Sequence, residues 1–94
     1  MSKIVFITGA TSGFGRAAAL KFAAAGHHLI VTGRRKTLLE ELARELINTF
    51  HSEVLTLCFD VRKFGEAEAA INSLSEDWKK IDVLVNNAGL AVGL

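Results

Sequence analysis

The sequence predicts an α/β fold, a doubly wound parallel β-sheet with helices on both faces. Three observations point to it. Short apolar runs alternate along the chain with longer segments of helical periodicity. The apolar runs lack the alternation of polar and apolar residues that marks a half-exposed strand, so we expect strands buried on both faces. A glycine-rich segment directly follows the first run, where this class of fold turns from a strand into a helix.

The first half of the chain is predicted as strand, helix and strand. The first strand covers about Lys3–Thr8, and the first helix covers Gly13–Ala25, with Gly26 at the C′ position that favours glycine. The second strand covers about His28–Thr32. The residues expected to face the sheet from the first helix are Ala17, Leu20 and Ala24, with Ala18 and Phe22 alongside.

The second helix has a predicted start and a clear apolar face. Thr37 and Glu40 are spaced as a capping box, in which the two side chains satisfy free amides of the first helical turn. A third strand, about Glu53–Phe59, follows this helix. The apolar residues at helical spacing are Leu38, Leu39, Leu42, Ala43, Leu46, Ile47 and Phe50.

A third helix and a fourth strand complete the pattern. The fourth strand covers about Asp82–Asn86. Right-handed crossovers then give a sheet of strand order 3-2-1-4, as in a Rossmann fold. The stripe that indicates the third helix consists of Phe64, Ala67, Ile71, Leu74 and Trp78.

Residues 1–94 are therefore interpreted as the N-terminal part of a single Rossmann domain. The six-stranded form of this fold continues beyond strand four with two further strands, so we expect the sequence to be the front portion of something larger. If the 94 residues are made alone, strand four becomes an exposed apolar edge, and we expect poor solubility or incomplete folding.

Composition excludes several functional classes. The net charge is +1, which gives no basis for general binding to nucleic acid or membranes. No apolar run approaches the roughly 18 residues of a membrane span, and no signal peptide precedes the first strand, so we expect a cytoplasmic protein. Cys58 is the single cysteine and is expected to be a buried strand residue. The histidines suggest no metal site; we expect His27, His28 and His51 to be solvated or half-buried.

The glycine-rich segment is predicted to bind phosphate. Its spacing is Gly-x-x-x-Gly-x-Gly between a buried strand and a helix, which leaves backbone amides free at the helix N-terminus and allows a pyrophosphate to approach closely. The alternative is a turn without a ligand. The residues assigned to the phosphates of a dinucleotide are Gly9, Thr11, Ser12, Gly13, Phe14 and Gly15.

The end of the second strand indicates which dinucleotide is bound. A carboxylate at this position accepts a hydrogen bond from the 2′-hydroxyl of NAD, whereas arginine accommodates a 2′-phosphate. Here the strand is followed by Arg34 and Arg35, and no carboxylate is present. Paired guanidinium groups favour NADP(H) over NAD(H). If the glycine turn binds no coenzyme, they are simply solvated loop residues.

Two further segments lie at the carboxyl ends of strands three and four. Asp60 and Val61 would contact the adenine, although an Asx turn or helix cap at Asp60 explains these residues equally well. Asn87, Ala88 and Gly89 would contact a ribose of the coenzyme, or would satisfy the ends of neighbouring strands; both roles are compatible.

Taken together, these motifs resemble those of the short-chain dehydrogenases/reductases. The residues are Thr8-Gly9-x-x-x-Gly13-x-Gly15, Asp60-Val61 and Asn86-Asn87-Ala88-Gly89, in that order. Finer details, including Thr32-Gly33-Arg34-Arg35, look like the NADP-dependent branch that oxidises small 3-hydroxy acids such as serine or allo-threonine. The resemblance implies hydride transfer between NADP and a small hydroxy or keto substrate, and assembly of the full-length protein as a homotetramer.

The resemblance implies no catalytic residue within these 94 positions. The family's serine and Tyr-x-x-x-Lys lie downstream of the Asn-Asn-Ala-Gly segment, and this sequence contains no tyrosine. Ser73, Ser75, Lys79 and Lys80 precede the fourth strand and do not substitute for them. We therefore expect the cofactor half of an oxidoreductase, inactive alone.

Other functions remain as alternatives. The main one is a non-catalytic, truncated module that binds NADP(H). A flavodoxin-like or receiver domain shares the alternation of strands and helices. Such a domain has a cluster of acidic residues at the strand ends, whereas the first strand here ends in Thr8-Gly9. A P-loop nucleotidase is disfavoured because no Gly-Lys-Ser/Thr follows the turn.

Overall fold

Four parallel strands form one sheet in the order β3-β2-β1-β4, which confirms the predicted topology. The computed structural model describes residues 2–60 and 63–87. Strands and helices alternate along these residues. Their bounds are β1 Ile4–Thr8, α1 Gly13–Ala24, β2 His28–Gly33, α2 Lys36–Phe50, β3 Val54–Cys58, α3 Phe64–Asn72 and β4 Val83–Asn86.

The sheet separates two apolar clusters. On one face, Val5 and Ile7 of β1 pack with Leu29 and Val31 of β2 beneath residues of α1 and α2. On the other face, Phe6 and Ile30 pack against the segment around and after α3. Because successive side chains of a strand point to opposite faces, the two central strands are continuously apolar over residues 4–7 and 29–31.

Burial on both faces holds for the two central strands only. The residues of β3 are mostly half-buried, and β4 alternates between half-buried and exposed positions. These two strands lie at the edges of the sheet as described, where fewer neighbours cover them. The prediction of complete burial for all four apolar runs was therefore wrong at the edges.

Cys58 is exposed, contrary to prediction. It is the last residue of the edge strand β3 and pairs in register with Gly33, which has no side chain to cover it. Its thiol lies 3.6 Å from the carbonyl oxygen of Arg34, to which it donates a weak hydrogen bond.

Helix α1 buries a different face from the predicted one. Ala17 and Ala24 are exposed, whereas Gly15, Ala19 and Ala23 are buried at a spacing of four residues. Close packing of Gly15 on the preceding turn sets the rotation of the helix, and the two alanines follow from it. The residues that pack partly buried beside this face are Ala18, Leu20 and Phe22.

The end of α1 follows the prediction for Gly26. The amide of His27 donates to the Phe22 carbonyl at 3.1 Å, and the amide of Gly26 donates to the Ala23 carbonyl at 3.0 Å. These two bonds define a Schellman motif, and Gly26 has the required left-handed conformation with φ +88°.

Helix α2 begins earlier than a capping box allows. Its first residue is Lys36, with Arg35 as the N-cap and no hydrogen bond from the cap side chain. Thr37 is thus already helical, and the predicted Thr37–Glu40 box does not form. The predicted apolar face is confirmed at its centre, whereas Leu38 and Ile47 at its margins are each 42% exposed.

Helix α3 is shorter than its apolar stripe. It ends at Asn72, where the Ser73 hydroxyl donates to the Ala70 carbonyl at 2.6 Å. Leu74 and Trp78 follow in turns, yet both still pack against the cluster around Phe6. The stripe correctly predicts the packing of these side chains, but not their secondary structure.

Candidate functional site: a cleft at the carboxyl edge of the sheet

The turn between β1 and α1 is closed by its own side chains. Gly9 has φ +60°, the left-handed conformation that a glycine adopts without strain. The amide of Ser12 donates to the Gly9 carbonyl at 3.1 Å, and its hydroxyl donates to the same oxygen at 2.8 Å. Ser12 is also the N-cap of α1, and its hydroxyl accepts from the Gly15 amide at 3.4 Å.

Gly15 makes the closest approach in this turn. A Cβ at this position would overlap the carbonyl oxygen of Gly9 and would lie 2.9 Å from Cα of Ala10, both of them backbone atoms. No side chain can therefore be placed at Gly15 without moving the turn or the helix. The third glycine of the motif serves the packing of α1 against the turn.

Gly13 differs from Gly15 in what surrounds it. A Cβ built on Gly13 would meet nothing within 4 Å, so its missing side chain leaves open space at the N-terminus of α1. The amides of Gly13 and Phe14 lie in the first helical turn, where no intrahelical acceptor exists. Phe14 is 86% exposed beside them. This end of the helix favours an anion through both its amides and the helix dipole.

Asn87 braces the turn from the end of β4. Its Nδ2 donates to the Gly9 carbonyl at 3.2 Å and to the Ser12 hydroxyl at 2.6 Å. The preceding residue, Asn86, accepts a hydrogen bond from the buried Thr8 hydroxyl at 3.1 Å. The structural role considered for this amide pair is therefore present in the fold.

Backbone hydrogen bonds hold the ends of the first three strands together. The amide of Ala10 donates to the Thr32 carbonyl at 2.9 Å, which links the glycine turn to the end of β2. The amide of Phe59 donates to the Gly33 carbonyl at 3.0 Å, which links β3 to the same point. Thr11 lies close to Gly33: a Cβ there would be 3.4 Å from Cγ2 of Thr11.

These strand ends enclose a cleft of about 220 Å³. It crosses the carboxyl edge of the parallel sheet, where ligands bind in open α/β folds. Asp60 borders it at the end of β3, with its carbonyl accepting from the Lys63 amide at 3.0 Å. The lining residues are Gly9, Thr11, Ser12, Gly33, Arg34, Phe59 and Asp60.

The structure separates the two arginines of the predicted site. Arg34 lines the cleft, whereas Arg35 is the extended N-cap of α2 and is not among the lining residues. Both side chains are exposed. The side chains of successive residues in an extended segment point to opposite sides. The sequence motif alone therefore could not assign both guanidiniums to one phosphate.

The predicted site residues fall into four groups. Five of them line the cleft: Gly9, Thr11, Ser12, Arg34 and Asp60. Gly13, Phe14 and Gly15 form the first turn of α1, and Asn87 contacts the glycine turn. Arg35 is the N-cap of α2 and does not line the cleft. Val61, Ala88 and Gly89 lie outside the described residues. Sequence reasoning missed Gly33 and Phe59 as lining residues; their place at the ends of β2 and β3 was the available signal.

The opposite edge of the sheet carries polar contacts that the sequence did not suggest. His27 Nδ1 accepts from the Lys3 amide at 3.0 Å, and His28 Nδ1 accepts from the Glu53 amide at 3.2 Å. Both histidines are half-buried and His51 is exposed, as predicted.

Among the described residues, no group of three or more His, Cys, Asp or Glu side chains is placed to hold a metal ion. In the same parts of the chain, no helix is long and apolar enough to cross a membrane.

The sheet order and the glycine-rich β1–α1 turn define a Rossmann-type α/β protein. A family model described as short chain dehydrogenase matches residues 3–93. The chain belongs to this family, which confirms the resemblance stated from its motifs.

Two of the relatives that match this chain carry different names. Sulfoacetaldehyde reductase 2 of Chromohalobacter salexigens is 53% identical over 92 residues, which are 98% of this chain and 36% of the relative. An NADP-dependent 3-hydroxy acid dehydrogenase of Salmonella typhi is 50% identical over 91 residues, 97% of this chain and 35% of the relative. The second name agrees with the branch predicted from the sequence.

A solved structure of a reductase also matches the fold of this chain. L-Sorbose reductase from Gluconobacter frateurii, complexed with NADPH and L-sorbose, superposes with a TM-score of 0.86 at 35% identity. The match covers 99% of this chain and 35% of that chain. The sequence given thus spans about a third of the length of its relatives.

Proposed function

We propose that these residues form the cofactor-binding part of an NADP(H)-dependent oxidoreductase that acts on a small hydroxy or keto substrate. The observation that carries the proposal is the cleft itself. It extends from Ser12, the N-cap of α1 after the first strand, to Arg34 at the end of β2, where no carboxylate follows the strand. Asp60 lines it at the end of β3. Residues 1–94 would then be the first part of one Rossmann domain in the full-length protein.

The pyrophosphate would lie on the glycine turn. The free amides of Gly13 and Phe14 can donate to phosphate oxygens, and the space above Gly13 admits the group without a steric conflict. Thr11 adds a hydroxyl beside it, whereas the Ser12 hydroxyl donates to the Gly9 carbonyl and supports the shape of the turn. Gly9 and Gly15 act through the backbone shape that brings these groups together.

The 2′-phosphate would lie against Arg34. Guanidinium groups bind phosphate through paired, charge-assisted hydrogen bonds. Arg35, on the far side of the tip, would contribute charge rather than a direct contact. The names of the relatives support the choice, because one is NADP-dependent and another was crystallised with NADPH.

The adenine and the nicotinamide ribose would meet the other strand ends. Asp60 and Val61 are proposed for the adenine side, and Asn87, Ala88 and Gly89 for the ribose side. When bound, the coenzyme supplies or accepts the hydride. The residues of this chain bind and orient it, and none of them is proposed as catalytic.

The substrate is proposed from the relatives' names as a small hydroxy or keto compound, such as a 3-hydroxy acid. Two more properties remain predictions: a cytoplasmic location, expected from the composition, and assembly as a homotetramer, implied by the resemblance.

Coenzyme titration of the full-length protein tests the proposal. We expect NADPH to bind more tightly than NADH, measured by quenching of protein fluorescence. The change Arg34→Ala should weaken NADPH about tenfold or more, since a hydrogen bond to a charged group contributes about 1.5–3 kcal/mol. The same change should leave NADH affinity within about twofold.

Arg35→Ala is the matched control. It removes the same charge one position along, and we expect only a small loss of NADPH affinity, about two- to threefold. Equal losses for NADPH and NADH in Arg34→Ala would remove the assignment to the 2′-phosphate. No measurable affinity of the folded wild-type protein for either coenzyme would overturn the proposed function.

A further inference from the structure

One ion pair joins the two helices that follow the coenzyme-binding strand ends. Arg16 Nη2 lies 2.6 Å from Glu45 Oε1, which links α1 to α2 across 29 positions of sequence. Both side chains are about half exposed, at 49% and 42%. The other ion pairs found among the described residues join positions three or four apart, for example Lys36 with Glu40.

Arg16 is rigidly connected to the glycine turn. It follows Gly15, whose backbone packs directly on Gly9. Its own amide donates to the Ser12 carbonyl at 2.8 Å, which closes the first turn of α1. Arg16 thus belongs to the first turn of α1, at the end of the helix where the pyrophosphate is proposed to bind.

Glu45 belongs to the helix that continues from the arginine tip. Helix α2 starts directly after Arg34 and Arg35 and is held on the sheet by the buried side chains of Leu39, Leu42 and Leu46. Glu45 lies on the wall of a groove between α1 and α2. Thr11 lines both this groove and the cleft at the strand ends, so the two share one side chain.

We propose that Arg16 is a positioning residue for coenzyme binding. The inference rests on the proposed function. The ion pair with Glu45 sets the spacing between the N-terminus of α1 and the tip of β2, which are the two parts of the cleft that receive the pyrophosphate and the 2′-phosphate. Arg16 acts through this spacing and does not touch the coenzyme, because its guanidinium is engaged by Glu45.

The effect has a predicted size. An exposed ion pair contributes at most about 1 kcal/mol to stability, so its loss can weaken a dissociation constant by at most about fivefold. Because a misplaced helix N-terminus affects the pyrophosphate, which both coenzymes carry, NADPH and NADH should lose affinity equally. A direct contact with the 2′-phosphate would affect NADPH alone.

The test uses Glu45→Gln and Arg16→Gln in the full-length protein, with both coenzymes titrated by fluorescence. We expect each change to weaken NADPH and NADH by about two- to fivefold, while the unfolding midpoint falls by less than about 4 °C. The double reversal Arg16→Glu with Glu45→Arg should restore both affinities to within about twofold of wild type. A purely structural role would lower the unfolding midpoint without changing the affinities.

Glu41→Gln is the control. Glu41 lines the same groove one helical turn earlier, so the variant loses the same charge and leaves the Arg16–Glu45 pair intact. We expect affinities within about 1.5-fold of wild type. This variant separates the pair from the general electrostatic field of α2.

Several results would overturn the inference. Tighter NADPH binding in Glu45→Gln would mean that the freed Arg16 binds phosphate directly, and a loss confined to NADPH in Arg16→Gln would mean the same. Unchanged affinities in both single variants would remove any role for the pair. In each case wild-type binding of NADPH still stands, whereas its absence would refute the proposed function instead.

Discussion

Gly13 and Gly15 occur in one motif but meet opposite surroundings. The Cβ of an alanine at Gly15 would overlap backbone atoms of the turn, whereas at Gly13 it would enter open space. Gly15 therefore constrains the fold, and the space at Gly13 is available to a ligand. A shared motif thus combines two independent physical requirements.

Exchange of these glycines for alanine should separate stability from binding. Gly15→Ala should lower the free energy of unfolding by about 1–3 kcal/mol or prevent folding, as overpacking against backbone does. Gly13→Ala should change it by less than about 0.5 kcal/mol, yet weaken NADPH about tenfold or more, because the added Cβ occupies the space through which a phosphate would approach the amides. Chemical denaturation and fluorescence titration of the full-length protein measure the two effects. A stable Gly15→Ala protein with normal affinity would contradict the close approach.

Some single-residue properties could not be read from the sequence. Cys58 has the apolar character of its strand, but its exposure depends on which strand lies at an edge and on the bare Gly33 beside it. The difference between Arg34 and Arg35 likewise depends on backbone direction at the start of α2. Both properties arise from tertiary neighbours, which residue type does not encode.

Helix α1 illustrates what periodicity can and cannot predict. The helix and its glycine end are confirmed, but its many alanines make the apolar stripe nearly uniform around the axis, so several rotations fit the sequence equally well. Contact between Gly15 and the turn selects one of them. In α2, by contrast, leucines and charged residues alternate at helical spacing, and the buried centre of the face is predicted correctly.

The orientation of α1 can be tested with two enlarged alanines. Ala19→Leu places three extra carbons in a fully buried site and should destabilise the protein by about 1–3 kcal/mol. Ala17→Leu makes the same change at an exposed position two residues away and should stay within about 0.5 kcal/mol of wild type. Urea denaturation of both variants gives the comparison, and a reversed order would restore the face predicted from the sequence.

At the scale of the whole molecule, the order of strands follows from the alternation of elements, right-handed crossovers and the Rossmann-type glycine turn taken together. Each crossover is long enough for a helix, and right-handed crossovers leave few arrangements for four parallel strands. The predicted order 3-2-1-4 is therefore confirmed even though several helix details are wrong. The candidate site benefits from the same robustness, since it depends on which strand ends are neighbours.

The edges of this sheet lead to a prediction about solubility. Strand β4 pairs with β1, and in the described part of the chain no strand pairs with its outer edge. When residues 1–94 are produced alone, we expect self-association through this edge, because unpaired strands template further pairing. Leu84→Lys on β4 should reduce the aggregated fraction seen in size-exclusion chromatography with light scattering.

Leu38→Lys is the matched control for this experiment. Leu38 is about as exposed as Leu84, at 42% against 37%, but lies on α2 away from the edge. We expect it to leave aggregation unchanged. If the unmodified 94-residue polypeptide is a monodisperse monomer with a cooperative melt, the outer edge of β4 does not cause self-association.

The brace formed by Asn87 also affects the order in which the molecule assembles. Its amide meets the Gly9 carbonyl across 78 positions, one of the longest separations that so small a chain allows. Contacts between such distant partners require a large loop to close and therefore form late in folding. During synthesis on a ribosome, the glycine turn would lack its hydrogen bond from Asn87 until the fourth strand had emerged and paired. The proposed phosphate-binding turn would therefore be completed only after the strands of the sheet have come together, and coenzyme binding would follow that step.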